Sequence, residues 1–519
     1  MRIAFVWINI AGPVGVSHGV LILARELLEA GHEVDVLHLN EDLGFPADPG
    51  RLFSELKRLS PGLVAFSFLS SHAGLARRLV AEARSALPSA TIVCGGIHAT
   101  LNPEEVFDWA GVDAVGIGEL DGGHFVKFIS RLEREDDPAS VAGFWVRDEH
   151  GEHRNRLAPL PFIEHQALPL FEAIDFERFV VAKRGFGEII AGRGCPYHCR
   201  FCQNHALVKR YRDGLGGTPA SWPYIRLRSI DNLLAELKEM RSRAPSLKAI
   251  MFGDDRLAFD KAWLTEFAER YPAEIGLPFI ANATADRIDA ESAALLDRAG
   301  CNMIKLGVEC APGRIRKQVL GRPFDEATIR TAFGHLKMRG INTMAYLMVG
   351  IPTETPDDVL ATFRFCAGLR PDALRVAMFC PFPGTEIHTE LARSGLLEQT
   401  EAMYGFLEQS VLKWPAGMRA FLDKTLILHP WMVNQHLDEP VGSSARELVA
   451  WALSPASGSA QDPLFRKELL NRGRLVHDSL ARENLPHYFA PFAERPDWAF
   501  LKIHRRRLLI NVDDERAGS

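Results

Sequence analysis

The sequence predicts an α/β protein: a doubly wound, Rossmann-like parallel sheet first, a partial (β/α)6 barrel second, and a mostly helical C-terminal region. Three observations carry this reading. The chain has 519 residues, more than one hydrophobic core ordinarily holds. Short, wholly apolar runs alternate with amphipathic helical stretches in two separate series, the pattern of parallel strands covered on both faces. Beyond about residue 389 the strand-like runs stop while helical periodicity continues.

In the first series, strands are expected at Arg2–Ile8, Glu33–Leu39, Leu63–Leu69, Thr91–Gly95 and Asp113–Gly118. Helices are expected at Val20–Ala30, Arg51–Leu59, Gly74–Leu87, Pro103–Trp109 and His124–Leu132. Together they make a five-stranded domain over residues 1–133, whose ligands belong at the carboxyl ends of the strands. Residues 134–186 read as a connector, with a polar run, a small hairpin over 143–155 and an extended crossing marked by Pro159, Pro161 and Pro169.

The second series covers residues 187–388. Strands are expected at Glu188–Ala191, Ala249–Gly253, Pro278–Ala283, Met303–Val308, Thr343–Val349 and Leu374–Phe379, with helices between them such as Asp231–Ser242 and Asp325–Arg339. Six such units predict a partial barrel with its chemistry at the C-terminal ends of the strands. Residues 389–519 form the helical region. Its Trp414, His429, Trp431, His436 and Trp498 read as core and surface residues, and the region is expected to close the barrel mouth over a substrate pocket.

Hydrophobic and charged fractions of 47% and 24% are those of a soluble globular protein. A formal net charge of -6 gives no electrostatic reason to expect nucleic acid as a partner, and the basic run His504–Arg507 reads as a solvated face. The apolar start is broken by Pro13 and glycines and lacks a cleavage pattern before Arg25-Glu26, so it reads as a strand and its loop. No apolar stretch reaches the roughly 20 residues needed to span a bilayer, and a cytoplasmic location is expected. Of eight cysteines, Cys94, Cys301, Cys310, Cys366 and Cys380 sit in apolar contexts and read as buried free thiols, which suits a reducing compartment.

The other three form a Cys-x3-Cys-x2-Cys loop, Cys195, Cys199 and Cys202, inside the run GRGCPYHCRFCQN after the first barrel strand. A loop this short folds three thiolates around one small object. A four-iron cluster held by three thiolates keeps one iron open for a substrate. A zinc site with His198 or His205 as fourth ligand is the alternative, but structural zinc usually draws on two separated Cys/His pairs, and no second pair is evident.

The loop resembles the signature of the radical S-adenosylmethionine (SAM) superfamily, including an aromatic residue, Phe201, just before the last cysteine. The resemblance implies a [4Fe-4S] cluster on the three cysteines, whose open iron binds SAM. Electron transfer then cleaves SAM to methionine and a 5′-deoxyadenosyl radical. The rest of the barrel is similar in order and position. Gly253-Asp254-Asp255 ends the second strand and Asn282–Asp289 follows the third. Lys305–Glu309 resembles the family's fourth-strand segment, Gly350–Thr355 its fifth-strand turn near the adenine, and Pro381–Thr385 follows the sixth. Phe201, Asp254, Asp255, Glu309 and Gly350 are thereby the implied SAM-binding residues, although Asp254 or Asp255 alone reads equally as a helix cap.

In the first domain the loop Asn9–Ser17 lacks Gly-x-Gly-x-x-Gly, so it offers no dinucleotide phosphate cradle. Ser67-Phe68-Leu69 and Gly95-Gly96 resemble motifs that line the nucleotide tail of cobalamin in B12-binding domains, and Gly116–Leu120 resembles a segment of B12-linked radical SAM proteins. The implied contacts are Ser67, Leu69, Gly95, Gly96, Gly116, Gly118 and Glu119, with glycines letting backbone approach a bulky ligand. The pattern departs from B12-dependent mutases in lacking Asp-x-His-x-x-Gly, so no lower axial histidine is offered there. His18 and His98 lie near the expected site and read as polar contacts; a fold that no longer binds cobalamin is the alternative.

The resemblance implies methylation of an unactivated carbon or phosphorus of a small biosynthetic intermediate. The substrate radical would take its methyl from methylcobalamin, and a second SAM would remethylate the cobalt. Radical oxidation, cyclisation or rearrangement without methyl transfer is one alternative, and a non-catalytic corrinoid-binding protein is another. Expected partners are a small-molecule substrate and an electron donor such as flavodoxin or ferredoxin. The stretch His205–Ser229, rich in Lys, Arg, Gly and aromatics, reads as a substrate lid, an anionic-group contact or a plain surface loop.

Overall fold

The structure, a computed structural model, describes residues 1–10, 14–45, 48–134, 140–217, 222–257, 260–398, 409–489 and 502–503. Trp498 and the basic run at 504–507 lie outside the described residues.

The chain opens with strand β1 (Arg2–Ile8), helix α1 (His18–Glu29), β2 (Glu33–Leu39), α2 (Pro49–Leu59), β3 (Leu63–Phe68), α3 (Ala73–Ala86) and β4 (Thr91–Gly95). Two short helices, α4 (Ile97–Leu101) and α5 (Pro103–Phe107), lead to β5 (Ala114–Gly116) and α6 (His124–Glu133). The strands form because their apolar runs can be buried on both faces: Ile3, Ala4, Phe5, Val6 and Ile8 of β1 are all buried. Ser17 caps α1 by accepting from the N–H of Val20, and Asp48 caps α2 from Gly50.

The five strands are parallel in the order β2-β1-β3-β4-β5. The sheet does not stop at residue 133. The hairpin inside the expected connector becomes β6 (Phe144–Asp148) and β7 (Gly151–Arg154), which pair antiparallel with the free edge of β5 and extend the sheet to seven strands. An otherwise open row of β5 backbone groups is satisfied in this way.

After α7 (Phe176–Ala182) come β8 (Phe186–Ile189), the two-residue β9 (Gly192–Arg193), α8 (Gln203–Leu215) and β10 (Arg226–Leu227), which pairs back on β9. The remainder of the barrel is α9 (Ile230–Arg243), β11 (Ala249–Phe252), α10 (Lys261–Glu274), β12 (Phe279–Ala283), α11 (Ala290–Arg298), β13 (Cys301–Glu309), α12 (Glu326–Met338), β14 (Asn342–Val349), α13 (Pro356–Leu369) and β15 (Ala373–Met378). Six parallel strands in the order β8-β11-β12-β13-β14-β15 make an open half-barrel.

Past α14 (Glu386–Arg393), helices α15 (Ala416–Asn434), α16 (Val441–Leu453) and α17 (Pro463–Arg482) form the C-terminal region. They were expected to lie over the barrel mouth. Among the described residues α15 packs on α13 and β15, and its Leu422 stands against Gly350 at the carboxyl end of β14, so the region flanks the last strand and reaches the rim of the mouth. The last strand carries outward apolar residues such as Leu374 and Met378, and Leu422, Leu428 and Trp431 of α15 are buried in the same core. Val14, from the β1–α1 loop, is also buried in that barrel core and ties the two sheets together.

The stretch His205–Ser229 is not a lid over the barrel. Most of its first half is α8, and Tyr211, Trp222 and Tyr224 are buried in the core of the first sheet with Phe66, Phe68 and Trp145. Aromatic burial fixes the segment against the first domain, a contact that local sequence pattern does not reveal.

Candidate functional site

The three cysteines lie on a loop held at several points. Asp254, at the end of β11, is buried and accepts from the N–H groups of Ala191 (3.0 and 3.1 Å) and Gly192 (2.6 Å), just before the loop. Burial pushes its carboxyl up to about 7, against the pull of those donors. Asp254 was expected to face SAM; its oxygens are committed to backbone instead, and it positions the cysteine loop. Gly194 adopts φ +95, and a side chain there would collide with the carbonyl of Tyr224.

Within the loop, the N–H of Cys202 donates to the carbonyl of Cys199 (3.0 Å), and that of Arg200 to Leu320 (3.0 Å). The Arg200 side chain reaches Glu386 (2.7 Å) and Glu390 on α14. Phe201 packs in an apolar cluster with Leu320, Ile351 and Phe379, beside the turn that starts at Gly350. Asp255 is exposed and accepts from Asn204 (2.8 Å).

All eight cysteines are free thiols; Cys94, Cys301, Cys310, Cys366 and Cys380 are buried, as expected. Burial raises the thiols of Cys195 and Cys199 and pushes Cys202 up to about 12. Loading of metal therefore has to displace protons. Among the described residues no three or more Cys, His, Asp or Glu side chains are arranged to hold a single metal ion. His198 and His205 face each other, Nδ1 to Nδ1 at 3.2 Å.

Arg322 is the charge nearest this loop that sequence reading missed. Its guanidinium lies 3.9 Å from Cys199 Sγ, donates to the Gly307 carbonyl (2.7 Å) and pairs with Glu309 (3.3 Å). Glu309 has φ +62 at a register shift in the β13–β14 ladder, a strained position for a residue with a side chain. Burial raises its carboxyl, partly offset by Arg322. Gly350 also has positive φ (+77), and its N–H donates to the buried Glu354 (2.7 Å).

A cavity of about 330 Å³ opens at the carboxyl ends of the first sheet, at the low end of the range for small-molecule sites. Ser67, Leu69, Gly95, Gly96, Gly116, Gly118 and Glu119 all line it, together with Trp7, Thr100 and, from the second domain, Arg193, Leu207 and Tyr211. Helix α8 thus joins the two features: Cys202 stands at its N-cap, and Tyr211, about 13 Å further along the axis, forms a cavity wall. The Tyr211 hydroxyl accepts from the N–H of Glu119 (2.8 Å).

Glu119 departs from expectation. Its carboxylate is engaged by Arg193 and by Arg226 (2.5 and 3.1 Å), so it clamps the two domains and its charge is spent there. Burial opposes that charge, but the two guanidinium groups outweigh it and hold the carboxyl below its usual range. Arg193 also pairs with Asp121 (2.8 and 3.1 Å) and Gln166 (3.1 Å). An arginine between two glycines, directly before the first cysteine, was the available sequence signal.

The two histidines are not in the cavity lining. His98 is buried, 3.2 Å from Ser70 Oγ, and stacks on Trp109. Ser70 in turn accepts from Gln203 (3.1 Å), the residue after Cys202. Burial pushes His18 down to about 4, against the field of Glu188 on β8.

Residues 189–366 match the model of the radical SAM superfamily, and residues 8–123 match that of the B12 binding domain. An uncharacterized methyltransferase of Pyrococcus horikoshii is 24% identical over 398 residues, 75% of this chain and 81% of its own length. The anaerobic magnesium-protoporphyrin IX monomethyl ester cyclase of Cereibacter sphaeroides is 22% identical over 365 residues, 66% of this chain and 55% of its own. Among solved structures, the cobalamin-dependent SAM radical enzyme OxsB superposes with a TM-score of 0.67 at 13% identity, over 93% of this chain and 75% of that one. At that identity the likeness is one of fold. Among the described residues no helix is long and apolar enough to cross a membrane.

Proposed function

We propose that this chain, which belongs to the cobalamin-dependent radical SAM enzymes and joins a B12-binding domain to a radical SAM domain, methylates an unactivated carbon or phosphorus of a small biosynthetic intermediate. The observation that carries the reading is the juxtaposition made by α8: the thiol loop at one end of the helix and the strand-end cavity at the other. Cys195, Cys199 and Cys202 would hold the cluster. Ser67, Leu69, Gly95, Gly96, Gly116 and Gly118 would hold the cobalamin tail, with Phe201, Asp255, Glu309 and Gly350 beside SAM. When bound, these groups supply a carbon-centred radical by reductive cleavage of SAM, and a methyl group carried on cobalt.

The chain's own residues bind, orient and shield. Arg322 sets a positive charge against Cys199, where it would offset negative charge once the loop sulfurs are ionised. The strained Glu309 presents a carboxylate at the strand end, where it can accept from ligand hydroxyl or amino groups. Asp254 and the pair Arg193–Glu119 hold the loop in register with the first domain. Tyr211 forms part of the cavity wall, and Trp222 and Tyr224, buried in the same core, fix the segment that carries it against the first domain. A one-electron donor such as flavodoxin or ferredoxin is the expected partner.

Similarity to a cyclase favours a second reading, radical oxidation with ring closure and no methyl transfer. Anaerobically reconstituted protein incubated with methyl-deuterated SAM and candidate intermediates separates the two. A deuterated methyl in the product supports transfer, and an unlabelled cyclised or rearranged product supports the second reading. Iron retained after replacement of all three cysteines by alanine would remove both.

A further inference from the structure

The inner face of the half-barrel carries cations that the proposed reaction does not use. Alternation along three neighbouring strands decides which side chains face inward. Ile304, Leu306 and Val308 of β13, Ala345, Leu347 and Val349 of β14, and Leu374 and Met378 of β15 belong to the helix-covered core. Lys305, Tyr346 and Arg375 therefore lie on the opposite face. Register sets them close together: Tyr346 pairs with Arg375, and Lys305 stands one side-chain row toward the amino ends, beside Met344.

Met303, Met344 and Ala373, in Lys305's own row and the one before it, form an apolar floor beneath Tyr346 and Arg375, and Tyr346 packs against it. Toward the carboxyl ends lie Glu309, Arg322 and Cys199. Lys305 is only 7% exposed, and among the described residues neither it, Tyr346 nor Arg375 has a hydrogen-bond or ion-pair partner. The carboxylates that share the lumen are engaged elsewhere: Glu188 with Lys183 and the N–H of Val16, Glu309 with Arg322. Burial, with Lys183 and Arg375 nearby, lowers the Lys305 ammonium to about 8 despite Glu188. A buried ammonium whose neighbouring carboxylate is already paired with another lysine is costly and marks a place where a ligand supplies a charge of its own.

We propose that Lys305 and Arg375, with the Tyr346 hydroxyl, form a substrate subsite that holds a compact anionic oxygen group, a carboxylate or a phosphoryl group. The forked guanidinium suits two oxygens of either group, the ammonium adds a point charge, and the phenol donates one further hydrogen bond. The apolar floor stops the charged group from going deeper, so the rest of the substrate extends toward Glu309 and the cysteine loop. The subsite rests on the proposed reaction, whose cysteine loop stands at the carboxyl ends of these same barrel strands, and it narrows the substrate class to small acids.

The test uses full-length protein reconstituted with iron, sulfide and cobalamin, titrated calorimetrically with methylphosphonate, acetate and, as neutral control, acetamide. Wild-type protein is expected to bind at least one anion saturably and acetamide not at all. Tighter methylphosphonate assigns a phosphoryl group, and tighter acetate a carboxylate. Lys305→Met should weaken the anion at least about tenfold, while Lys305→Arg stays within about threefold. Lys305→Met should also resist urea better than wild type, because an uncompensated charge is removed; a structural lysine would give the reverse. Anion binding unchanged in Lys305→Met, absent in wild type, or lost only together with bound cobalamin overturns the subsite. Wild-type SAM cleavage is scored separately, so its absence counts against the reaction class and not against anion binding.

Discussion

Arg193→Met should loosen the join between the two domains. The Arg193 guanidinium meets Asp121 at 2.8 and 3.1 Å, Gln166 at 3.1 Å, and Glu119. Its removal leaves Glu119 with Arg226 (2.5 Å), but strips the countercharge from Asp121, whose side chain is 8% exposed. Breaking a fully buried pair on one side costs about 3–5 kcal/mol. The Arg193 side chain is 19% exposed, so solvent offsets part of that, and about 2–3 kcal/mol is expected. Equilibrium urea unfolding of the apo protein measures the loss in the first transition, the one to follow in a chain with several cores. Adding Asp121→Asn should recover most of it. Since Arg193 also lines the cavity, cobalamin retained after desalting should fall in the single variant. A loss below about 1 kcal/mol, the range of an exposed pair, or a double variant no better than the single, refutes the clamp.

Gly96→Ala should abolish cobalamin retention while leaving iron content intact, because at φ +95 a Cβ would sit 2.8 Å from the Phe68 carbonyl and 3.2 Å from Ser67 Oγ; full retention on desalting counts against the cavity assignment. Glu354→Gln should flatten the pH dependence of apo-protein stability between about pH 6.5 and 8. Burial lifts Asp254 to about 7 and Glu354 to about 8, above their unfolded values, so their contribution is complete below about pH 4 and is lost as pH rises through those values. His18, His38 and His429, pushed down to about 4 by burial, still gain stability as pH rises through the unfolded imidazole value of about 6.5 and oppose this fall, but equally in wild type and in a Glu354 variant, so the difference between the two isolates Glu354. Glu354→Gln should remove about 1–2 kcal/mol of the fall, read from urea midpoints at each pH; an identical slope in the variant contradicts the assignment.

Much of the fold was readable because strand burial is a local property. Wholly apolar runs such as Ile3–Val6 specify strands covered on both faces wherever they occur, and the strand at 2–8 appears as expected. The cavity residues were readable for a related reason: in a doubly wound sheet, whatever follows the carboxyl end of a strand faces the same edge, so Ser67, Gly95 and Gly116 converge without further information. Partner choice was not readable. Asp254 and Glu119 stand where motif logic placed them, yet their oxygens go to Ala191, Gly192, Arg193 and Arg226, groups brought close only by packing. The same applies to the 205–229 stretch, whose polar and aromatic composition suits a lid until Tyr211 and Trp222 are seen buried in the first domain. It applies again to helix α15, whose packing on α13 and β15 no local pattern announces.

Lys305 shows the division most clearly. By itself the sequence determined that it lies in a strand of alternating faces within a barrel. Only the tertiary structure decided that its face is the lumen, that the lumen's carboxylates are already engaged, and that its charge is left uncompensated. Periodicity is carried by neighbouring residues along the chain, whereas the balance of charge in a buried space depends on every strand that closes it.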